Sequence, residues 1–264
     1  MLRAIIASAA AVLATAAALG PAPAQAEQPN VVAIGDSYMA GVGAGDYSVI
    51  DGCRRSALSY AADATRRMAR TLTDESCPGA RIPEVLEQAA RVRPDAATVL
   101  VQVGGNDAGF SSIAFACLAP FRTDCLDRVA ESRAGLPAIG QGLRQIVDTA
   151  STQAPGARVV LAGYPRLLSG AGACMRSALG DFLDEAEIRA ILALQSELDA
   201  TIAAAARGTD ASYVDWPRVV DRHSLCSSTP WFVTPLSGDA QDSLHPTAQA
   251  YAAMGRSVAG LLRR

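Results

Sequence analysis

Short apolar runs alternate with helical patterns along most of this chain, and that alternation constrains the fold more than any other feature. Four runs read as buried strands: "VVAIG" (31–35), "ATVLVQVG" (97–104), "ARVVLAGY" (157–164) and "SYVDW" (212–216). Each is short, Val-bearing and bounded by turn residues. Between them, 57–71 and 138–152 carry apolar residues at three- and four-residue spacing. The stretch 184–207 opens with acids at its positive end, and 246–264 opens with Pro in its first turn and closes on Arg. Strand and helix in alternation predict an α/β fold with a parallel sheet covered by helices on both faces. The segment 217–245 is a long connection with little regular pattern, and such loops in compact domains carry function.

The first 26 residues are expected to lie outside this fold. Arg3, an Ala-rich apolar run and Ala24-Gln25-Ala26 make a secretory signal peptide, residues 1–26, with an A-x-A cleavage site. The run is shorter than the roughly 20 apolar residues a membrane span needs. No Cys marks a lipid anchor. Residues 27–264 are then expected to form one domain with a substantial core, extracellular and monomeric, with no stable membrane anchor. The 264-residue chain has a net charge of −3 and every one of its 23 basic residues is Arg, with no basic cluster. That balance argues against nucleic acid as a partner. Six Cys in an exported chain read as disulfides, and the residues alone do not choose their pairing. Without a C-x-x-C pair and with only two His, no metal site is expected.

Ligands of such a sheet bind beyond the carboxyl ends of its strands. Ser37 follows the first strand in "VVAIGDSYMAGVGAG", and Asn106 follows the second in "VQVGGNDAGF". Gly79 lies between them in "SCPGA", and Asp242 and His245 lie in "QDSLHPTAQAY" before the last helix. Each has a plain reading as a turn or cap residue. Together they supply a nucleophile, hydrogen-bond donors, an acid and an imidazole. A serine hydroxyl attacks only once a base takes its proton, and His245 is the candidate. Asp242, three residues earlier, is expected to hydrogen-bond the other ring nitrogen and to push the His pKa upward. The Ser37 N–H, the Gly79 N–H and the Asn106 side-chain amide are expected to surround the oxyanion. Asp36 and Asp107 are read as loop-holding acids. His223 lacks a nearby acid and is expected beside the Cys226 loop.

These four stretches, in this order, resemble the SGNH hydrolases of the GDSL lipase/esterase group. "GDSYMAG", the glycine of "CPGA", Gly104-Gly105-Asn106-Asp107 and Asp242-Ser243-Leu244-His245 match its four blocks. "CRRS" at 53–56, "GYP" at 163–165 and the stretch from Cys226 to Trp231 are similar to the secreted, three-disulfide esterases and lipases of actinobacteria. The resemblance implies the SGNH hydrolase fold, a flavodoxin-like α/β three-layer sandwich with a central parallel sheet, no cofactor, and the pairs Cys53–Cys77, Cys117–Cys125 and Cys174–Cys226. Tyr38 stands where many members carry Leu. Pro78 stiffens the loop before Gly79.

The expected activity is secreted carboxylic ester hydrolysis through an acyl-serine. Phe110, Phe115 and Phe121, with Ile113 and Leu118, follow Asn106 directly. They read either as buried packing or as an acyl groove, and the second reading points to lipid or fatty-acyl esters, including phospholipid acyl esters. A carbohydrate acetylesterase and an acyltransferase are alternatives on the same scaffold. An inactive surface-binding module is a more distant one.

Overall fold

The structure, a computed structural model, describes residues 30–118, 124–168, 183–216, 220–234 and 239–263. The expected signal-peptide segment, Phe121 and Cys174 lie outside the described residues. Five parallel strands form the central sheet: β1 (Asn30–Gly35), β4 (Thr71–Asp74), β5 (Ala96–Gln102), β6 (Arg158–Ala162) and β7 (Ser212–Val214), in the order β4-β1-β5-β6-β7. Four of the five are the expected strands. β4, "TLTD", is too polar to read as a buried run; it is an edge strand with every residue at least partly exposed. A separate antiparallel hairpin, β2 (Tyr47–Ile50) and β3 (Cys53–Ser56), stands apart from this sheet.

Helices cover both faces. α2 (Tyr60–Met68) and α7 (Ala248–Leu262) pack on one side, and α3 (Ile82–Ala90), α4 (Phe110–Leu118), α5 (Cys125–Gln153) and α6 (Glu185–Arg207) on the other. The alternation within β1 shows how the sheet serves two cores. Val31 and Ala33 enter the core with Tyr60, Trp216 and Tyr251, whereas Val32 and Ile34 enter the core with Leu143, Ile146 and Leu198. A strand buried on both faces is apolar throughout, as this one is. The ends of the helices follow local chemistry. α2 stops short of the expected residue 71 because Ala69 turns to φ 51. α6 begins at a reciprocal capping box between Asp184 and Glu187. α5 starts well before residue 138 and carries Pro137 inside it. No helix among the described residues is long and apolar enough to cross a membrane.

Candidate active site

Ser37 sits at an abrupt exit from β1. Gly35 has φ 150, and a Cβ there would lie 2.2 Å from the Gln102 carbonyl oxygen. Only glycine lets β1 leave the sheet this close to β5. The Gly35 N–H donates to Gln88 Oε1 at 2.7 Å and the Asp36 N–H to Gln102 O at 3.0 Å. Asp36 then caps the short helix α1 (Ser37–Ala40), accepting from the Tyr38 N–H at 2.9 Å. The Gly-Asp-Ser sequence therefore ends a strand and presents a hydroxyl on the first residue of a helix.

His245 arrives from the loop before α7. Its main chain pairs with Val233: the Val233 N–H donates to His245 O and the Leu244 N–H donates to Val233 O, each at 2.9 Å. Gly43, from the glycine-rich run after Ser37, lies against this loop. A Cβ on Gly43 would meet the Pro246 carbonyl oxygen at 2.5 Å and His245 Cβ at 2.9 Å. The closeness places His245 Nε2 2.7 Å from Ser37 Oγ. His245 Nδ1 lies 3.0 Å from the Ser243 carbonyl oxygen. A carbonyl only accepts, so Nδ1 carries the proton of the neutral ring and Nε2 is free to accept from Ser37.

The hydrogen bond expected of Asp242 is thus made by a backbone carbonyl. The Asp242 carboxylate turns to the hairpin instead, accepting from the Tyr47 hydroxyl at 2.8 Å and pairing with Arg54 at 3.1 Å. The three-residue spacing explains this. The His245 N–H bonds the Asp242 carbonyl at 3.1 Å, closing a turn that brings the Ser243 carbonyl to the ring. Arg54 also pairs with Asp239 at 3.2 Å and lies 3.6 Å over the Tyr47 ring. The upward pKa shift expected of His245 is likewise reversed. Burial lowers it, outweighing the Ser243 carbonyl and the Asp242 charge, which both act to raise it.

Gly79 and Asn106 meet across neighbouring loops. Gly79 has φ 84, and nothing lies within 4 Å of where its Cβ would be. Its loop is tied down by the Cys77 N–H, which donates to Gly35 O at 3.0 Å, and by the Cys53–Cys77 disulfide. Asn106 Nδ2 donates to Ala80 O at 2.9 Å, which leaves its second amide proton for another acceptor. Asp107 accepts from the Ile82 N–H at 3.0 Å at the start of α3, as a loop-holding acid would. The Cys117–Cys125 bond also forms, whereas the pair expected with Cys226 falls on Cys174.

Tyr164, in the "GYP" stretch after β6, is a participant that its residue type alone does not announce. Its hydroxyl donates to Asp36 Oδ2 and accepts from the Gly105 N–H at 3.0 Å, joining the loops after β1, β5 and β6. Gly105 has no side chain to spare, since a Cβ would meet the Tyr164 ring at 3.1 Å. Burial pushes the Asp36 carboxyl up to about 7. The Ser243 carbonyl was also missed, and no residue type announces a backbone acceptor. His223 stacks on Trp231 with 3.6 Å between ring centres and bonds Thr229.

A pocket of about 200 Å³ opens at Ser37 and His245. Its apolar wall includes Phe110, Ile113, Leu167, Leu168, Leu183 and Ile191. Of the aromatic stretch, Phe110 and Ile113 line this pocket, whereas Phe115 is 66% exposed.

A three-layer α/β sandwich with a serine–imidazole contact at the carboxyl edge of its sheet defines a class, the SGNH-type carboxylic ester hydrolases. Comparison with known proteins gives the same answer: residues 33–253 match the GDSL-like Lipase/Acylhydrolase family, to which this chain belongs. A lipase of Streptomyces rimosus is 36% identical over 223 residues, covering 83% of this chain and 81% of that protein. The crystal structure of an extracellular lipase from Streptomyces rimosus superposes with a TM-score of 0.80 at 33% identity, over 89% of this chain and 100% of that one. Phospholipase A1 from Streptomyces albidoflavus NA297 gives 0.77 at 28% identity, over 90% and 100%.

Proposed function

We propose that Ser37 is the nucleophile and His245 the base of a fatty-acyl ester hydrolase. The observation that carries this reading is the 2.7 Å contact between His245 Nε2 and Ser37 Oγ at the open end of an apolar pocket. Nε2 takes the hydroxyl proton as Ser37 Oγ bonds the ester carbonyl carbon. The resulting oxyanion is received by the N–H groups of Ser37 and Gly79 and the remaining Asn106 amide proton. One such donor lowers the barrier by about 3–4 kcal/mol. The imidazolium then passes its proton to the leaving alcohol, and the acyl-serine forms. Water, deprotonated by Nε2, attacks the acyl carbon and releases the acid and Ser37. Asp242 acts at one remove, holding the loop through Tyr47 and Arg54.

The acyl chain lies along Phe110, Ile113, Leu168 and Ile191, so the substrates are lipid or fatty-acyl esters, phospholipid acyl esters included. The lipase and phospholipase relatives support this choice. The protein acts outside the cell as a monomer after loss of residues 1–26; its disulfides and its extracellular relative favour export. An acyl series on p-nitrophenyl esters tests the substrate class. kcat/KM should climb from acetyl to a medium or long chain, by roughly ten-fold for each pair of methylenes fully buried. A maximum at acetyl would contradict the lipid reading and favour a carbohydrate acetylesterase.

A further inference from the structure

Tyr38 joins the residue after the nucleophile to the residue before the base. Its hydroxyl donates to the Leu244 carbonyl oxygen at 2.9 Å, across more than 200 residues of chain. We propose that this hydroxyl is a positioning device for His245, holding the Leu244 backbone in the conformation that keeps the Ser243 carbonyl on Nδ1. The inference rests on His245 being the base.

Leu244 is the reason a pin is needed. It has φ 64, in the left-handed region that a side chain rarely adopts. Such a residue persists only where its surroundings over-determine it. Here both of its backbone groups are engaged, the N–H by Val233 O and the carbonyl by Tyr38. The rotation at Leu244 sets the angle between the Ser243 carbonyl on one side and the His245 ring on the other. If it relaxed toward negative φ, the carbonyl would swing off Nδ1 and the ring would lose its tautomeric bias. The Tyr38 ring adds a second restraint, since it packs 5.0 Å from the His245 ring and edge-on to Tyr164 at 5.1 Å. Burial pushes the Tyr38 phenol well above its ordinary range, so it remains a donor throughout the working pH. A leucine at this place would pack but could not donate.

Tyr38→Phe keeps the ring and removes only the hydroxyl. On a short p-nitrophenyl ester its kcat should fall roughly ten-fold with KM nearly unchanged, inside the 10²-fold that misplacement by about 1 Å can cost. The downfield proton resonance of His245 Nδ1–H should move upfield or broaden. Glycine adopts positive φ without strain, so in a Leu244→Gly background the same Tyr38→Phe change should cost only about two-fold. Equal losses in both backgrounds, or an unmoved Nδ1 proton, would overturn the proposal. Activity surviving Ser37→Ala or His245→Ala would instead overturn the assignment of nucleophile and base, which separates the two failures.

Discussion

His245 is pulled in opposite directions by its surroundings, and the balance sets its working range. Burial disfavours the imidazolium, while the Ser243 carbonyl and the Asp242 charge favour it. Burial is the largest of these, so the pKa lies below the ordinary 6.5. Only the neutral ring can accept the Ser37 proton. Activity should therefore be lost as pH falls through a value below 6.5, and be fully present from there into the mildly alkaline range. A kcat/KM profile measured with and without a chelator checks this. An acid limb centred above that ordinary value would mean that the Asp242 charge dominates after all.

At the scale of elements, the β2–β3 hairpin is the clasp of the site. Cys53 bonds Cys77, two residues before Gly79, and Arg54 and Tyr47 hold Asp242, three residues before His245. One small element thus steadies the loops of a proposed oxyanion donor and of the proposed base. The 24-residue separation closed by the disulfide stabilises the fold by about 3 kcal/mol in the chain-entropy account. Cys53→Ser/Cys77→Ser should lower the Tm accordingly and also reduce kcat at temperatures where the protein stays folded. A folded double variant with unchanged kcat would show that Gly79 is held by the Cys77 N–H contact alone. The hairpin also carries a sign of its own in the sequence. Asp51-Gly52 links its strands with φ 53 and φ 77, the positive-φ pair that a two-residue turn demands. β4 offered no comparable sign, because an edge strand need not be apolar. α3 and α4 hide for different reasons: α3, as long as α2, starts from Arg81 where α2 starts from the cap Ser59, and α4 is apolar nearly all round, so no helical stripe separates a buried face from an exposed one. Of the expected site, the sequence named the side chains that the fold brings together: Ser37 meets His245, and Asn106 bonds the Ala80 carbonyl beside Gly79. The partner of Nδ1 was not legible, since every residue carries a carbonyl and only the turn at 242–245 selects Ser243.

Across the whole molecule, the sheet does for the site what no single loop could. β1, β4, β5 and β6 run parallel, so Ser37, Gly79, Asn106 and Tyr164 all leave from one edge. Two buried cores clamp that edge from both faces, and the pocket opens from it between α4 and α6. The central claim is that Ser37 and His245 form the working pair, with Asp242 outside it. Mass spectrometry after exposure to a long-chain alkyl fluorophosphonate tests this directly, in the wild type and in His245→Ala and Asp242→Ala. The account predicts one adduct, mapped to Ser37. It should form several orders of magnitude more slowly in His245→Ala, and within about ten-fold of the wild-type rate in Asp242→Ala, since loss of a group that only steadies the loop costs far less than loss of the base. An adduct on another residue, or Asp242→Ala as slow as His245→Ala, would contradict it.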